Sequence, residues 1–346
     1  MARQVRLFLI RHGETVDNVA QLYAGSRDSA LTNHGYQQAT RLGAHFANSG
    51  IVFTHLFSSH LQRAAKTAEL IRESQAKLAT DASERNVPDV VELPVLMEQD
   101  FGFYEGRKFY ERPANGKLSG KDNHRQIHKD SDDFVDIESK ESLARRADEF
   151  LDVHLFPLLV RPKERTDLVV AIVSHGIMLS SLWKRILLRL PEKSVTLASE
   201  LATTGSITLE HLGSWSNTGF LELHMSRTIA ELPIPTPSPA TGQVPLEHTV
   251  ISPAPAEICG TEAKLPPTNI AAVSSVDITV GSTGNLKATT PSTMRKLGSE
   301  WSTVVLTINS KDHLKTLKRT GGGVGSSRHD ASQRSIHNFF KRRKID

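Results

Sequence analysis

Two apolar segments, each followed at once by a histidine and a glycine, constrain the fold of this chain more than any other feature. The first, Val5 to Ile10, leads into RHGET at Arg11 to Thr15, and the second, Leu168 to Val173, leads into SHG at Ser174 to Gly176. Short apolar runs of this kind predict strands that are buried on both faces. Open α/β folds bind their ligands at the carboxyl ends of such strands. Two of these strands can bring His12 and His175 to one point.

The chemistry that suits this arrangement is phosphoryl transfer through a phosphohistidine. A neutral imidazole can attack phosphorus near pH 7 because its unperturbed pKa is about 6.5, which makes His12 a candidate nucleophile. The site must also supply positive charge and a proton donor, since positioning and electrostatics dominate this reaction. Arg11 adjoins His12, and Arg63 lies at a further predicted strand-to-helix turn. Glu98, at the end of the extended run from Val91 to Leu96, is the candidate proton donor.

Four motifs in this order resemble the histidine phosphatase superfamily, the phosphoglycerate-mutase-like enzymes. They are RHGET at Arg11, SSxLxRAxxTA at Ser58, LxExxFGxxEG at Leu96 and SHG at Ser174, and the resemblance covers roughly residues 5 to 225. It implies the following roles: His12 is phosphorylated, Glu98 acts as acid and base, and Arg11, Arg63 and His175 bind the phosphate. The resemblance also implies that Asn18 and the turn at Gly25 and Ser26 lie near the substrate phosphate.

Several alternatives remain open at this point. Glu92, Asp100 and Glu105 compete with Glu98 for the role of acid, because chain order does not place a carboxylate over a leaving group. The segment 107–140 lacks the Tyr- and Arg-rich element that holds the phosphoglycerate acid in mutases, and 15 of its 34 residues are charged instead. We therefore expect a phosphomonoester hydrolase acting on a phosphorylated small molecule or a phosphoprotein. A phosphoglycerate-type mutase and a non-catalytic adaptor at replication or repair sites are the alternatives.

The hydrophobic pattern predicts an α/β fold, a three-layer sandwich with a mostly parallel central sheet, in a catalytic domain over residues 1–230. Apolar strands alternate with amphipathic helices throughout this region. Besides the strands already named, we expect helices over 34–48, 61–73, 141–155 and 175–188, and two final strands over 206–212 and 220–225. The motif residues contain no metal-ligand cluster, so we predict neither a metal nor a cofactor.

The composition changes abruptly after Leu232. Nine of the 16 prolines fall between Pro233 and Pro267, in a stretch that cannot bury enough apolar surface to offset its ordering entropy. We therefore predict a disordered C-terminal tail that begins with a linker over 231–330. Val304 to Ile308 has the composition of a strand but no evident partner, and the glycine-rich run from Gly321 to Gly325 predicts a flexible hinge.

The last segment, 331–346, resembles the PIP box that docks proteins onto the replication sliding clamp (PCNA). A one-turn helix would place Ile336, Phe339 and Phe340 on one side, with Gln333 making a polar contact beside them. The basic run that follows predicts nuclear targeting and, at most, weak contact with nucleic acid. This run consists of Lys341, Arg342, Arg343 and Lys344.

The distribution of charge and cysteine completes the prediction of location. From Glu231 onward the chain carries 14 Lys and Arg against nine Asp and Glu, a net charge of +5, which leaves −1 for the preceding part. The single cysteine, Cys259, excludes an intramolecular disulfide and fits a reducing compartment. No uninterrupted apolar stretch is long enough to span a bilayer, so we expect no membrane contact. We expect a protein of the nucleus and cytoplasm.

Overall fold

The structure is a computed structural model that describes residues 3–78, 87–109, 130–131, 134–160, 167–202, 207–228, 294–330 and 332. These residues all belong to one compact unit. Most of the charged segment 107–140, the predicted linker from 231 to 293 and the docking and basic residues 333–346 lie outside the described residues.

Seven strands of the described chain form a single sheet in the order β3-β2-β4-β1-β6-β7-β5. Pairing is parallel between β1 and β4, β2 and β4, β2 and β3, and β5 and β7, and antiparallel where β6 pairs with β1 and β7. The prediction of a mostly parallel sheet is confirmed. The strands are β1 (Arg3–Arg11), β2 (His55–Ser59), β3 (Val90–Leu93), β4 (Leu168–Ser174), β5 (Val195–Leu197), β6 (Phe220–Arg227) and β7 (Trp301–Ser310).

Helices cover both faces of this sheet. They are α1 (Val16–Ala20), α2 (Asn33–Asn48), α3 (Gln62–Leu78), α4 (Lys140–Phe150), α5 (Phe156–Val160), α6 (Gly176–Arg189) and α7 (Ser199–Ala202), and a π-helical turn over Leu151–Leu155 joins α4 to α5. Short 3-10 turns occupy Pro94–Leu96, Gly102–Tyr104, Asp312–Leu314 and Val324–Ser326. Thr32 caps α2, as its position before the helix suggests, by accepting a hydrogen bond from the Gly35 amide.

The alternation of β1 shows why its sequence is apolar throughout. Val5, Leu7 and Leu9 point to the face that carries α4 and α6. Phe8 and Ile10 point to the opposite face and pack with residues of α2 and α3. Successive side chains of a strand alternate between faces, so a strand covered on both sides needs apolar residues at every position. The predicted three-layer arrangement is confirmed.

The prediction that the linker extends to residue 330 is wrong. Residues 294–330, which we call the C-terminal clasp, pack as part of the compact unit, and β7 inserts between β6 and β5. Trp301 is 2% exposed and Val305 is fully buried. The partners of this strand lie far away in the chain: Ser302 pairs with Ser226 across the proline-rich segment. The composition of Val304 to Ile308 is that of a strand, but the local sequence does not reveal its distant partners, and sequence analysis therefore assigns the stretch to the linker.

The glycine run also differs from the expected hinge. Gly322 and Gly323 adopt positive φ angles of 66° and 80°, which a glycine tolerates without strain, and the chain then turns through Val324–Ser326. The Asn33 side chain donates hydrogen bonds to the Val324 carbonyl and the Ser327 hydroxyl, at 2.9 and 3.0 Å. The turn is thus anchored to the start of α2.

Three predicted elements differ from those in the structure. The strand proposed over 206–212 is wrong, because the described residues 207–212 form a turn without ladder pairing. The extended run before Glu98 splits into β3 and the 3-10 turn Pro94–Leu96, where proline stands at the first position. The helix that begins at Lys140 changes to π-helical geometry after Phe150.

No helix among the described residues is long and apolar enough to cross a membrane.

Candidate functional site

Side chains at or after the ends of four strands, β1, β2, β3 and β4, meet at the carboxyl edge of the sheet. β1 and β4 are adjacent and in register, with Arg11 opposite Ser174, so that each is followed by its histidine at the same level. The His12 amide donates to the Ser174 carbonyl at 3.0 Å, and the rings of His12 and His175 lie 5.0 Å apart between centroids. We call the group formed by Arg11, His12, Arg63, Glu98 and His175 the histidine site.

The hydrogen bonds of His12 determine which nitrogen can react. Its Nδ1 lies 2.7 Å from the Gly13 carbonyl oxygen, which can only accept, so Nδ1 carries the proton and Nε2 holds a lone pair. Burial, followed by the charges of Arg63 and Arg11, lowers the pKa of His12 well below its ordinary value. The ring is therefore neutral at pH 7, with a nucleophilic Nε2.

His175 presents the opposite tautomer. The Arg63 Nε donates to its Nδ1 at 3.1 Å, so the proton of the neutral ring lies on Nε2. Burial and the neighbouring Arg63 lower the pKa of His175 well below its ordinary value. Its Nε2 is buried and makes no hydrogen bond to any described residue. The two histidines thus differ in tautomer: His12 holds a lone pair on Nε2, whereas His175 carries on Nε2 an N–H that has no partner among the described residues.

The two arginines differ in how they use their donors. Arg11 donates from Nη1 to the Trp215 carbonyl at 2.6 Å, while its buried Nε has no hydrogen-bond partner in the described chain. Arg63 is more fully engaged: besides His175, it donates to the carbonyls of Ala24, Gly25 and Arg27 at 2.8 to 3.1 Å. Arg63 therefore orients His175 and holds the loop 24–27, and at most one of its five N–H groups remains for a ligand.

Burial lowers the pKa of both arginines from the ordinary value, and the nearby carboxylate of Glu98 acts in the opposite direction. Arginine stays protonated in proteins despite such shifts. Unpaired buried donors are uncommon because they cost free energy, and they indicate a site for an acceptor. The Nε–H of Arg11 and the Nε2–H of His175 have no partners in the described chain, and the positive charges of Arg11 and Arg63 lie close to them. This combination suits a tetrahedral oxyanion such as a phosphoryl group.

Glu98 is held at the amino end of α6. Its Oε2 accepts from the Ile177 amide at 3.1 Å, and its Oε1 accepts from the Met178 amide at 2.9 Å. The free amides at the amino end of a helix act as hydrogen-bond donors and here fix the position of the side chain. Arg146 fixes the backbone of this segment by donating to the carbonyls of Met97 and Glu98. The carboxylate is thus held at the first turn of α6, the helix that His175 precedes.

The three alternative carboxylates lie elsewhere. Glu105 accepts backbone N–H groups from Gly25, Ser26, Arg27 and Phe101, so it shapes the loop on which Arg63 acts. Asp100 caps the turn at Gly102, and Glu92 is exposed on β3. Among these four acids, the one that lines the cavity described below is Glu98.

The loop after β1 is supported by residues that sequence reasoning missed. The Thr218 amide donates to the carbonyls of Arg11 and His12, and the Asn217 side chain donates to the His12 carbonyl and to Asn18 Oδ1. Asn18 Oδ1 also accepts the Thr15 amide, which leaves its Nδ2 as the donor for a ligand. Asn217 and Thr218 lie outside the four motifs, and no local pattern marks them.

Two glycines allow this loop to approach α2. A Cβ added to Gly35 would lie 2.0 Å from the Glu14 carbonyl oxygen, and one added to Gly13 would lie 2.6 Å from the Gly35 carbonyl oxygen. Neither distance is compatible with a side chain, so both positions require glycine. Thr67 completes the support, because its hydroxyl accepts the Gly13 amide at 3.0 Å.

The histidine site opens into a cavity of about 620 Å³. Its described lining comprises Arg11, His12, Thr15, Asn18, Leu22, Tyr23, Ala24, Arg63, Glu98, Gln99, Phe101, Phe109, Gly176, Ile177, Ser180, Gly213, Ser214 and Trp215. Of the predicted site residues, Arg11, His12, Asn18, Arg63 and Glu98 line this cavity, whereas His175 is fully buried and is not part of the lining. In the described ranges no group of three or more His, Cys, Asp or Glu side chains is arranged to hold a metal ion.

Comparison with curated proteins finds relatives that are named as phosphatases or as a phosphoglycerate mutase. The chain is 33% identical over 131 residues to a broad-specificity phosphatase of Saccharomyces cerevisiae, a match that covers 38% of this chain and 54% of that protein. It is 35% identical over 186 residues to a probable phosphatase of Schizosaccharomyces pombe, covering 52% and 56%. It is 34% identical over 190 residues to a probable phosphoglycerate mutase of Erwinia tasmaniensis, covering 53% and 75%.

The chain spans little more than half the length of the two yeast relatives. A family model described as the histidine phosphatase superfamily (branch 1) matches residues 7–215, which is more than half of the chain. This range includes the four motifs and the five residues of the histidine site. The chain therefore belongs to the histidine phosphatase superfamily, branch 1.

Proposed function

We propose that this protein hydrolyses phosphomonoesters through a covalent intermediate on His12. The observation that carries the proposal is the bond from His12 Nδ1 to the Gly13 carbonyl, because it leaves Nε2 as a lone pair in a neutral ring. We assign the binding of the phosphoryl oxygens to Arg11, which lines the cavity, and to the buried N–H of His175, which has no partner among the described residues. Phosphoryl transfer depends on such positioning and charge.

The reaction has two steps. His12 Nε2 attacks phosphorus, the bond from phosphorus to the alcohol oxygen breaks, and Glu98 donates a proton to the departing oxygen. In the second step Glu98 takes a proton from water, whose oxygen attacks phosphorus. The phosphorus–nitrogen bond breaks, and inorganic phosphate and neutral His12 are released. The names of the yeast relatives support a phosphatase.

Brief exposure to a labelled phosphomonoester tests the intermediate. The wild-type protein should retain phosphate that is labile in acid and stable in base, and peptide mapping should place it on His12. His60→Ala serves as the matched control, because His60 is exposed and lies outside the cavity lining. Label that persists in His12→Ala would exclude His12 as the nucleophile.

The role of Glu98 can be tested through the leaving group. Glu98→Gln should lower kcat on an alkyl phosphate by about 10²-fold or more, since a general acid contributes roughly 10² to 10⁴. The loss should be much smaller on a nitrophenyl ester, whose anion leaves without a proton. Equal losses on both substrates would assign Glu98 a structural role at the start of α6.

A phosphoglycerate mutase is the second candidate, favoured by the name of the Erwinia tasmaniensis relative. Within the described lining of the cavity, Arg11 and Arg63 are the cationic side chains, and both belong to the histidine site. A phosphoglycerate carboxylate would need a further cation. Measuring product with and without a bisphosphate primer separates the two: primer-dependent isomerisation would support the mutase.

We also propose that the terminal peptide binds the sliding clamp. The support is the sequence pattern of Gln333, Ile336, Phe339 and Phe340, which lies outside the described residues. A peptide over 331–346 should bind with a Kd on the order of micromolar, and alanine at both phenylalanines should abolish binding, because aromatic anchors dominate such contacts. If calorimetry detects no heat of binding between the wild-type peptide and the clamp, the proposed docking is refuted. Nuclear targeting by Lys341 to Lys344 stays a prediction.

A further inference from the structure

The cavity has two chemically different parts. The histidine site forms one part: an added Cβ on Gly176 would lie within 4.0 Å of both the Arg11 Nε and the Glu98 Oε2, so these groups converge on one point. Large apolar and aromatic side chains make up six of the fourteen remaining residues of the described lining. They are Leu22, Tyr23, Phe101, Phe109, Ile177 and Trp215. The volume of about 620 Å³ lies within the range that accommodates drug-sized ligands, well beyond a phosphoryl group alone.

Three of the rings form one aromatic cluster. The Tyr23 ring lies 4.8 Å from the Phe101 ring and 4.8 Å from the Phe109 ring, measured between centroids. These separations and the tilted or edge-on angles are those that aromatic pairs favour. A substrate group placed here would contact ring faces and edges instead of water.

Backbone pairing holds this cluster in place. The Tyr23 amide donates to the Arg107 carbonyl, and the Phe109 amide donates to the Gln21 carbonyl, both at 2.9 Å. Leu22 and Lys108 form an antiparallel bridge between these two bonds. Tyr23 and Phe109 are therefore fixed on paired segments before a ligand binds, and such preorganisation favours binding because less conformational entropy is lost.

The charges of the described lining are confined to the histidine site. Arg11 and Arg63 are its cations and Glu98 is its carboxylate. The described lining offers no cation beside the aromatic cluster to pair with a carboxylate or second phosphate on the alcohol part of a substrate. Burying an unpaired anion is costly, whereas burying an aromatic or aliphatic group there is favourable.

We propose that Tyr23, Phe101 and Phe109 form a leaving-group site that selects phosphomonoesters of uncharged alcohols with an aromatic or apolar body. The inference rests on the proposed phosphatase function and specifies its substrate class. Phe109, which is 46% exposed, forms the outer end of this site and becomes covered when the alcohol binds. The phosphoryl group is held by the histidine site, and the three rings contact the group that departs.

Three alkyl phosphates test the inference: 3-phenylpropyl phosphate, n-propyl phosphate and 2-carboxyethyl phosphate. All three release a primary alcohol, so differences in kcat/KM report how the alcohol is bound more than how easily it leaves. We expect kcat/KM for the phenylpropyl ester to exceed that for the propyl ester by about 10-fold or more. The carboxyethyl ester should be the poorest substrate. Equal values for the three esters, or a preference for the carboxylate, would overturn the inference.

Variants locate the effect. Phe109→Ala should reduce the phenylpropyl-to-propyl ratio of kcat/KM by about 5-fold, chiefly through KM, and Phe109→Leu should be intermediate because it keeps part of the apolar surface. Phe103→Ala is the matched control, since Phe103 lies on the adjacent turn Gly102–Tyr104 and outside the cavity lining. A ratio that is the same in wild type and Phe109→Ala would exclude Phe109 from the site.

The panel also separates this inference from the proposed function. Hydrolysis of all three esters at similar kcat/KM, with phosphate trapped on His12, would refute the leaving-group site and leave the phosphatase intact. Absence of hydrolysis and of phosphoenzyme with every ester would refute the proposed function itself.

Discussion

The histidine site takes its side chains from residues at or just beyond the ends of strands, whereas the C-terminal clasp is held by contacts across most of the chain. Arg11 ends β1 and His175 follows β4 directly, so that short apolar runs place both. In the clasp, Arg319 donates two hydrogen bonds to the carboxylate of Glu14, 305 positions earlier. The local sequence thus determines where the reactive side chains lie, whereas contacts between distant segments stabilise the loops that carry them.

The two regions meet behind the nucleophile. The Thr218 hydroxyl donates to the Asn217 carbonyl, so the contact of 2.9 Å between Thr218 Oγ1 and His313 Nε2 is donated by the histidine. The amide of the same threonine donates to the carbonyls of Arg11 and His12. The clasp therefore stabilises the loop that carries the nucleophile without lining the cavity. We therefore expect changes in the histidine site to lower kcat, and changes in the C-terminal clasp to lower mainly the free energy of unfolding.

The largest effect is expected at the nucleophile. His12→Ala should lower kcat by at least about 10³-fold, because removing one member of a concerted catalytic set removes nearly all of its effect. Unfolding in urea should show that the variant remains folded. A steady-state assay on n-propyl phosphate measures the loss, and a variant that keeps more than a tenth of wild-type kcat would contradict the assignment.

Trp301→Ala should produce the largest loss of stability in the clasp. Its buried ring belongs to the main core, and truncating a buried tryptophan costs about 3–5 kcal/mol in the free energy of unfolding. Urea titration measures this change. Ser302→Ala, at the exposed neighbouring position, removes one exposed hydrogen bond to Ser226 and should cost no more than about 1.5 kcal/mol. Similar midpoints for both variants would mean that β7 contributes little to the fold.

His313 should make the stability of the clasp depend on pH. Burial, with smaller contributions from His45 and Arg41 against Asp312, lowers the pKa of His313 to about 4. Between pH 6.5 and 4 the unfolded chain binds a proton at this histidine that the folded chain does not, so stability falls as pH falls. The loss is about 3 kcal/mol at most.

His313→Asn isolates this contribution from that of the other buried histidines. The variant should be less stable than wild type at pH 7.5, and the difference should shrink as the pH is lowered to 4.5. Thermal unfolding at several pH values measures both curves. Parallel curves would show that His313 does not carry the pH dependence.

The smallest effect is expected at Arg319. The arginine is 40% exposed, and partly exposed ion pairs contribute about 0.2–1 kcal/mol, so Arg319→Ala should lower stability by no more than about 1 kcal/mol. A loss of kcat of a few fold is expected, because Glu14 follows His12 and Gly13 in the loop. Lys318→Ala, at an exposed neighbour, provides the control. A loss of kcat beyond 10-fold would place the clasp within the catalytic machinery.

The histidine site could be largely predicted from the sequence, although the functions of its members could not all be told apart. Glu98 and its three rivals illustrate the limit, because their positions differ through contacts with distant segments: Glu98 with the start of α6, and Glu105 with the loop 25–27. Arg63 was predicted as a phosphate ligand, and the structure shows most of its N–H groups engaged with carbonyls and His175. Side-chain hydrogen bonds of this kind leave no trace in local periodicity.

The sequence by itself determined the sheet-edge position of His12 and His175, because an apolar run needs a buried strand and the residue after it must emerge at the strand's end. It likewise determined the three layers, through alternation along β1 and the amphipathic helices. Only the tertiary structure decided the tautomers of the two histidines, which depend on the Gly13 carbonyl and on Arg63. It also decided the place of β7, since a strand's hydrogen-bonding partners are chosen by packing across the whole chain and not by its own residues.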